Sequence, residues 1–434
     1  MSPAHSSRRE FLGTSSVAAG AALLGGLSIA RSAHAGSGSG SGDEVLKVGL
    51  IGCGGRGTGA ATQALNADKN VKLIALGDAF ADSLQSSLNI LQKNPEIADK
   101  VAVTKETSFV GFDAYKQVID SGVDVVLLCT PPHFRPMHLE YAVEKGKHIF
   151  CEKPVAVDAP GVRRVMEISQ KAKEKKLALV SGLCWRYDHG VRETMKRVQD
   201  GDIGEIIAIQ ENYLAGGLWH RGRKPEWSEM EYQMRNWLYF TWLSGDHNVE
   251  QHIHSLDKAS WAMGDEPPKS AFGLGGRQSR TDTNYGHIFD HHAVVYEYAN
   301  GVKVFAYTRQ QDNCSNGTED YFLGTKGRAQ ILRHEIQDAK GNIVWKYKGK
   351  KGDMYQVEHN ELFASIRSGE PINNGLYMSR STMLAIMGRM ATYTGQTLTW
   401  EQALNSKEDL SPAEYAWGDI KTPPVARPGA TKFV

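Results

Sequence analysis

The feature that most constrains the fold is a glycine-rich turn between an apolar run and a helical segment. The apolar run leads into Gly52, Gly54 and Gly57, which are spaced as G-x-G-x-x-G, and the Ala-rich segment 58–65 that follows is typical of a helix. In this pattern one glycine allows the tight turn, one lets the backbone approach a ligand, and one lets helix and strand pack closely. The N–H groups at the start of such a helix bind phosphate. The sequence therefore predicts a βαβ dinucleotide-binding fold.

An acid after the next apolar run supports this interpretation. Asp78 ends that run about 20 residues beyond Gly57, where a carboxylate accepts hydrogen bonds from the adenine ribose hydroxyls. A carboxylate there repels a 2′-phosphate, so NAD is favoured, and Arg56 leaves NADP as the alternative. The turn residues predicted to contact the cofactor are Gly52, Cys53, Gly54, Gly55, Arg56 and Gly57.

Composition and charge limit the classes of protein that this chain can belong to. The 434 residues are 23% charged and 41% hydrophobic, with a formal net charge of +1, which is typical of a globular protein with two domains. Near-neutral charge gives no support for a nucleic-acid partner. The 5 cysteines are irregularly spaced and do not indicate a disulfide framework.

Residues 1–35 have the pattern of a twin-arginine signal peptide. Arg8 and Arg9 precede a mildly apolar stretch that is too short to span a bilayer, and the small-x-small sequence 33–35 is typical of a cleavage site. The Gly/Ser segment within 36–44 indicates a flexible linker. We expect export of a folded protein to the periplasm or beyond, with no membrane segment in the mature form.

Strand-like and helix-like segments alternate over 45–183, which predicts an α/β Rossmann domain with a doubly wound parallel sheet. In such a sheet the carboxyl ends of the strands border the cofactor. One apolar strand runs into Thr130, Pro131 and His133, and the next runs into Glu152 and Lys153. We therefore expect all five residues to contact the cofactor.

The pattern changes over 184–395, where several runs with period-two alternation are joined by hairpin turns. This predicts a second, α+β domain with an open, largely antiparallel sheet, followed by a C-terminal segment over 396–434. An excursion over 216–240 is rich in Trp and Arg, and it includes Arg235 and Trp237. These side chains suit a sugar platform, and core or subunit interface is the alternative for most of the Trp residues.

A polar stripe marks the predicted helix 245–263. Glu250, His254 and Asp257 are spaced by four and three residues, which places them on one helix face. His254 suits a general base, and Asp257 or Glu250 would orient it or bind a sugar hydroxyl. An exposed helix with polar pairs is the alternative. Lys153 would polarise a ketone or acidify a hydroxyl, unless it simply ends a strand at the surface.

Histidines are dense in the second domain, but they do not complete a metal signature. His252 and His254 point in different directions on a helix, and no Cys or carboxylate spacing adds further ligands. Contacts with sugar hydroxyls and buried histidines explain the same residues. We therefore predict no bound metal.

Together these segments resemble the Gfo/Idh/MocA family of glucose–fructose oxidoreductase, inositol dehydrogenase and their relatives. The resemblance rests on four motifs, which are GCGGRG, CEKP, HSLDKASWAMG and LGTKG. It implies that Lys153 and His254 serve catalysis, with His254 taking the proton of a substrate hydroxyl. The family's helix acid, usually Asp, is Glu250 here, which puts its role in doubt. The family also implies a homodimer or homotetramer formed through the second sheet.

The resemblance implies NAD(P)-dependent hydride transfer to or from a sugar, polyol or sugar derivative. Together with the excursion and the polar stripe, it leads us to expect substrate contacts from Lys153, Arg235, Trp237, Glu250 and His254. An exported enzyme meets no free nicotinamide pool, so we expect the cofactor to be tightly bound. Two alternatives stay open. One is a redox-neutral NAD-dependent glycosidase that acts by oxidation, elimination and reduction, and the other is a non-catalytic sugar-binding protein.

Overall fold

A computed structural model describes residues 44–434. The predicted signal peptide and nearly all of the Gly/Ser linker lie outside the described residues. None of the helices within 44–434 is long and apolar enough to cross a bilayer.

The first domain is built on a six-stranded parallel sheet in the order β3-β2-β1-β4-β5-β6. Its central strands are buried on both faces, which explains their continuous apolar sequence. The order reverses between β1 and β4, and this is the switch point at which doubly wound folds bind ligands. The prediction of a parallel Rossmann-type sheet is confirmed. Its strands are β1 (Leu46–Ile51), β2 (Val71–Asp78), β3 (Ser108–Val110), β4 (Val125–Leu128), β5 (His148–Cys151) and β6 (Leu179–Ser181).

Within residues 44–434, the second sheet has nine strands in the order β14-β13-β12-β11-β7-β10-β9-β8-β15, and of these only β7 and β10 pair in parallel. The predicted largely antiparallel sheet is therefore confirmed. Its strands are β7 (Ile206–Ala215), β8 (Ser270–Gly276), β9 (His291–Glu297), β10 (Lys303–Gln310), β11 (Gly317–Gly324), β12 (Gly327–Gln330), β13 (Glu335–Asp338), β14 (Ile343–Lys346) and β15 (Leu398–Thr399).

Helices pack against both sheets. The 20-residue helix α12 is buried along nearly its whole length and packs against α5, α10 and strand β8. Helix α11 returns to the first domain, where it packs on α1. The α-helices of the described residues are α1 (Gly55–Ala67), α2 (Ala81–Lys93), α3 (Ala114–Asp120), α4 (Arg135–Glu144), α5 (Ala159–Glu174), α6 (His189–Gln199), α7 (Glu229–Arg235), α8 (Thr241–Ser244), α9 (His247–Glu250), α10 (Ile253–Ala262), α11 (Met354–Ser368), α12 (Gly375–Thr394) and α13 (Trp400–Leu404).

The predicted continuous helix over 245–263 is wrong, because the chain forms two separate helices there, α9 and α10, just after α8 has ended. Gly245 ends α8 in the left-handed conformation, with φ 77°. Asp246 follows with φ 83°, and its side chain accepts a hydrogen bond from the backbone N–H of Asn248 at 3.2 Å. The turn therefore ends one helix and begins another. Glu250 closes α9, whereas His254 lies on α10.

Candidate active site

The glycine-rich turn joins β1 to α1 with little space around two of its glycines. Gly52 has φ 97°, and a Cβ added to Gly57 would lie 1.9 Å from the carbonyl oxygen of Gly52. These two glycines thus allow the turn and the close packing of the helix. A Cβ on Gly54 or Gly55 would meet no atom within 4 Å, because both glycines border an open crevice.

This cofactor crevice has a volume of about 500 Å³ and lies along the carboxyl edge of the first sheet. The first domain contributes the glycine turn, Asp78, Thr130 and Pro131, and the excursion contributes Arg235 and Trp237. The first N–H groups of α1 face no intrahelical acceptor and suit a pyrophosphate. The open glycine cradle, the helix end and the carboxylate therefore fit a dinucleotide.

Asp78 connects the end of β2 to the glycine turn. One carboxylate oxygen accepts a hydrogen bond from the Cys53 N–H at 2.6 Å, and the other accepts from the Phe80 N–H at 2.8 Å. Burial raises the pKa of Asp78 above its ordinary value. Each oxygen keeps a further lone pair for a ribose hydroxyl, so the fixed carboxylate is pre-oriented for that contact.

Arg56 is engaged by carboxylates. Its guanidinium pairs with Glu152, and it pairs with Glu358 at 3.0 Å. It also donates to Gln63 at 2.9 Å. Arg56 thereby ties the glycine turn to the segment that carries Lys153, and it is held away from the role of a phosphate ligand.

Lys153 and Glu250 come together at the junction of the two domains. The Lys153 ammonium donates to the backbone carbonyl of Glu250 at 2.6 Å and to Glu250 Oε1 at 2.9 Å. Their side chains are 13% and 15% exposed, so the pair is partly desolvated but still reachable. The end of β5 and the end of α9 bring the two residues into contact, although they are 97 positions apart.

His254 lies one turn beyond Glu250, at the start of α10. Burial, together with the positive charges of Lys153 and Lys258, lowers the pKa of His254 well below its ordinary value. Its Nδ1 has no hydrogen-bond partner among the described residues. Lys258 donates to the backbone carbonyl of His254 at 2.7 Å and fixes the helix turn. The imidazole is thus held in its neutral form, in which one ring nitrogen keeps a free lone pair.

Asp257 does not join this group, so the prediction that it orients His254 is wrong. Its carboxylate receives two hydrogen bonds from Arg186 Nε, both at 3.0 Å, and one from Ser381 at 2.7 Å. Asp257 is almost completely buried, and it connects α10 to the segment before α6 and to α12. Sequence spacing placed it on the correct helix but could not show that Arg186 neutralises it.

The other predicted residues divide between the crevice and its surroundings. Thr130, Pro131, Arg235 and Trp237 border the crevice, whereas His133 does not. Instead, His133 Nε2 lies 2.8 Å from the Tyr415 hydroxyl, and burial lowers the pKa of His133 to about 4.

Arg235 borders the crevice at the same end as Asp78. Its guanidinium pairs with Asp82 at 3.0 Å and with Glu231 at 2.8 Å. Arg235 thus forms its ion pairs at the rim of the first domain, and not with the Lys153–Glu250 pair.

Sequence reasoning also missed Phe80 and Phe112 at this rim, together with the aromatic residues of the C-terminal segment that contact them. The available signal in that segment was the pair Tyr415 and Trp417, which stand two residues apart.

A second polar group lies in the core of the second domain. Asp246, His247 and His292 bring ligand-type atoms within 4.8 Å of one another. Hydrogen bonds account for this arrangement, because Asp246 accepts from His292 at 3.1 Å, from the Phe289 N–H at 3.0 Å and from the Tyr393 hydroxyl. The absence of a bound metal stays a prediction.

Comparisons with known proteins agree with this geometry. Residues 46–182 match the family model described as oxidoreductase family, NAD-binding Rossmann fold. The chain is 24% identical over 336 residues to inositol 2-dehydrogenase of Salmonella typhimurium, which covers 75% of this chain and 88% of that enzyme. It is also 24% identical over 253 residues to 2,7-anhydro-N-acetylneuraminate hydratase of Escherichia coli, with 58% of this chain and 61% of that enzyme covered.

The fold is similar to that of a levoglucosan dehydrogenase whose structure was solved with NADH and levoglucosan. The TM-score is 0.63 at 17% identity, and the match covers 82% of this chain and 99% of the other. The likeness includes the second sheet, which lies beyond the residues matched by the family model. The first domain thus matches the NAD-binding Rossmann fold of that oxidoreductase family over residues 46–182.

Proposed function

We propose that the protein is an NAD-dependent oxidoreductase that acts on a hydroxyl-bearing carbon of a sugar, a polyol or a sugar derivative. The observation that carries this proposal is the Lys153–Glu250 ion pair beside neutral His254, at the carboxyl edge of a sheet whose glycine turn fits a dinucleotide. The names of the similar enzymes, an inositol dehydrogenase and a levoglucosan dehydrogenase, support the substrate class.

Each of the three residues has a distinct task in this chemistry. A bound nicotinamide supplies the hydride acceptor or donor. His254 accepts the hydroxyl proton, since its lowered pKa keeps the imidazole neutral. Lys153 places a positive charge beside the oxygen that becomes a carbonyl, which stabilises developing negative charge. Glu250 holds that ammonium in position through Oε1 and its own carbonyl.

Two observations support NAD over NADP. Asp78 would repel a 2′-phosphate at the ribose position. Of the three arginines that border the crevice, Arg56 and Arg235 are already paired with carboxylates, and the guanidinium of Arg221 lies over the Trp219 ring. A matched pair of binding titrations with NAD⁺ and NADP⁺ tests this preference, and tighter binding of NADP⁺ would contradict it.

The proposal includes export and a tightly bound cofactor. The twin-arginine pattern at Arg8 and Arg9 supports export of the folded, loaded protein. Cell fractionation of the wild type and of a variant with both arginines replaced by Lys tests the route. A wild-type protein that stays in the cytoplasm would contradict this part of the proposal.

We also propose that the protein forms a homodimer or homotetramer through the outer face of the second sheet. That face exposes Phe272, Leu274, Tyr307 and Leu323, and Leu274 is 78% exposed. Such a contiguous apolar surface is typical of a subunit interface. Leu274→Lys should convert the oligomer to monomers in light-scattering measurements. A wild type that is already monomeric would contradict the proposal.

The decisive test of function uses protein purified without added cofactor. Its absorbance near 340 nm is followed while free sugars, inositols and aryl glycosides are added separately. Lasting reduction of bound or added NAD⁺ by a free sugar or polyol supports the oxidoreductase. Release of the aryl group without lasting reduction would establish the redox-neutral glycosidase instead. Binding without either reaction would indicate a sugar-binding protein.

A further inference from the structure

Two segments from outside the Rossmann fold meet over the outer end of the cofactor crevice. One is the excursion, residues 216–240, and the other is a strap, residues 408–422, which has no regular secondary structure. Both contact a rim of the first domain formed by Phe80, Asp82 and Phe112. We refer to the excursion and the strap together as the cover.

Arg235 fastens the excursion to this rim. Its two terminal nitrogens donate to the two carboxylate oxygens of Asp82 at 3.0 and 3.2 Å, a bidentate contact between the domains. The guanidinium carbon lies 4.0 Å from the ring centre of Phe80 and 5.0 Å from that of Trp227. Arg235 and Phe80 both border the crevice, so this contact between the domains lies at its edge.

The strap is attached at several points. Near its start, the backbone N–H of Leu410 donates to Asp158 at 3.0 Å. Further along, the carbonyl of Gly418 accepts from the Met230 N–H at 2.9 Å, and the hydroxyl of Thr422 accepts from Gln233 at 3.1 Å. Met230 and Gln233 lie on α7, the helix of the excursion that ends at Arg235. The strap therefore holds the excursion in place.

Aromatic contacts join the strap to the rim itself. The Trp417 ring lies 4.7 Å from the Phe112 ring and 5.4 Å from the Phe80 ring, measured between centroids. The Tyr415 hydroxyl lies 2.8 Å from His133 Nε2. Phe80 and Phe112 also border the crevice, so they separate the strap from the space that a cofactor would fill. Contact of Trp417 with the two rim rings favours the arrangement in which the strap lies against the rim.

We propose that the cover retains the dinucleotide at its adenosine end, and that Arg235 and Trp417 are its retaining residues. This inference rests on the proposed function, because it assigns a structural cause to the tight binding expected of an exported oxidoreductase. The cofactor leaves only after the excursion separates from Asp82, and its dissociation rate is limited by that local opening. The residues that contact the substrate oxygen take no part in this step.

The test compares the wild type with Trp417→Ala, Arg235→Gln and the milder Tyr415→Phe. Bound nicotinamide per protomer is measured by mass spectrometry after purification, and its dissociation is followed by chase with isotope-labelled NAD⁺. We expect Trp417→Ala and Arg235→Gln to dissociate at least about 10-fold faster, which corresponds to about 1.4 kcal/mol. Tyr415→Phe should have a smaller effect in the same direction. Added NAD⁺ should restore the turnover that the variants lose.

Two control variants remove similar side chains away from the cover. Arg164→Gln breaks a guanidinium–carboxylate pair with Glu140, and Trp345→Ala removes an indole that contacts Arg197. Both should keep the wild-type dissociation rate. If all three cover variants exchange as slowly as the wild type, or if the wild type exchanges freely while it still oxidises a sugar, the cover is refuted and the proposed function stands. A wild type that binds no nicotinamide refutes both.

Discussion

Residues 246–254 contribute side chains to two regions of the molecule, one buried in the core and one at the junction of the two domains. Asp246 and His247 turn into the core of the second domain, where Asp246 is 0% exposed and accepts hydrogen bonds from groups around it. Glu250 meets Lys153 at the junction of the two domains, and the charge of Lys153 helps to lower the pKa of His254. The same residue types therefore form a hydrogen-bonded network without solvent contact in one region, and a partly exposed acid–base group in the other. What separates them is the partner that each carboxylate meets.

The sharpest way to separate the two regions is to remove the proposed base. His254→Ala should lower kcat by roughly 10²–10⁴-fold, because the hydroxyl proton loses its acceptor. The free energy of unfolding should change little beyond the loss of a partly buried ring. Steady-state kinetics and urea titration measure the two quantities. His189→Ala, at the start of α6, is the control, and turnover of His254→Ala near the wild-type value would exclude the proposed role.

Asp246→Asn should show the opposite pattern. The amide would place N–H donors against the donors of His292 and Phe289, which leaves buried polar groups unpaired. We expect a loss of about 3–5 kcal/mol in the free energy of unfolding, with kcat of the folded fraction within a few-fold of the wild type. Denaturant unfolding and kinetics at low temperature check this. A stoichiometric metal in the wild type, absent from the variant, would show that the group is a metal site instead.

Acid should destabilise the protein through its buried histidines. Burial lowers the pKa of His133, His247 and His287 from 6.5 to about 4. Between pH 6.5 and 4 these histidines are therefore protonated in the unfolded chain but not in the folded chain. The free energy of unfolding is thus highest above pH 6.5 and falls as the pH drops toward 4. Each of these residues contributes up to about 3 kcal/mol to the loss. Unfolding free energies measured between pH 7.5 and 4.5 test this, and a flat profile would contradict it.

Catalysis should resist mild acid better than a free imidazole would. The pKa of His254 lies well below its ordinary value, because burial and the charges of Lys153 and Lys258 disfavour protonation. The base therefore stays in its accepting form as the pH falls through 6.5. We expect the acid limb of kcat/KM to have a midpoint below 6.5 in the range where the protein is still folded. A midpoint at or above 6.5 would show that another group limits the reaction.

The smallest effect is expected when Glu250 is shortened to Asp, the acid that is usual in the Gfo/Idh/MocA family, which this sequence resembles. Glu250→Asp keeps the charge, and the backbone carbonyl of residue 250 still accepts from Lys153. We expect kcat to fall by less than about 10-fold, the range of a modest change in positioning. Glu250→Gln, which removes the charge, should have the larger effect. Equal losses in both variants would indicate that geometry, rather than charge, is the role of Glu250.

The first domain was the more predictable half because its signals are local. The spacing of Gly52, Gly54 and Gly57 requires a turn of one shape, and an apolar strand on either side requires a parallel sheet. The position of Asp78 at the end of β2 follows from the same short-range geometry. In the second domain, alternating strands likewise predicted a largely antiparallel sheet.

The sites that depend on distant partners were decided only by the tertiary structure. Helical spacing predicted that Asp257 would lie beside His254. Instead, Arg186 and Ser381, which lie on other elements, donate hydrogen bonds to its carboxylate. Arg235 was expected to bind the substrate, and instead it pairs with Asp82 at the rim of the first domain.

The glycine turn, the two sheet types and the residue types that suit hydride-transfer chemistry could be predicted from the sequence, because each of these depends on neighbours along the chain. Which charges face each other depends on the fold, since an ion pair such as Lys153–Glu250 joins residues 97 positions apart. Burial and partner choice act across the fold, and the spacing of residues along the chain does not encode them.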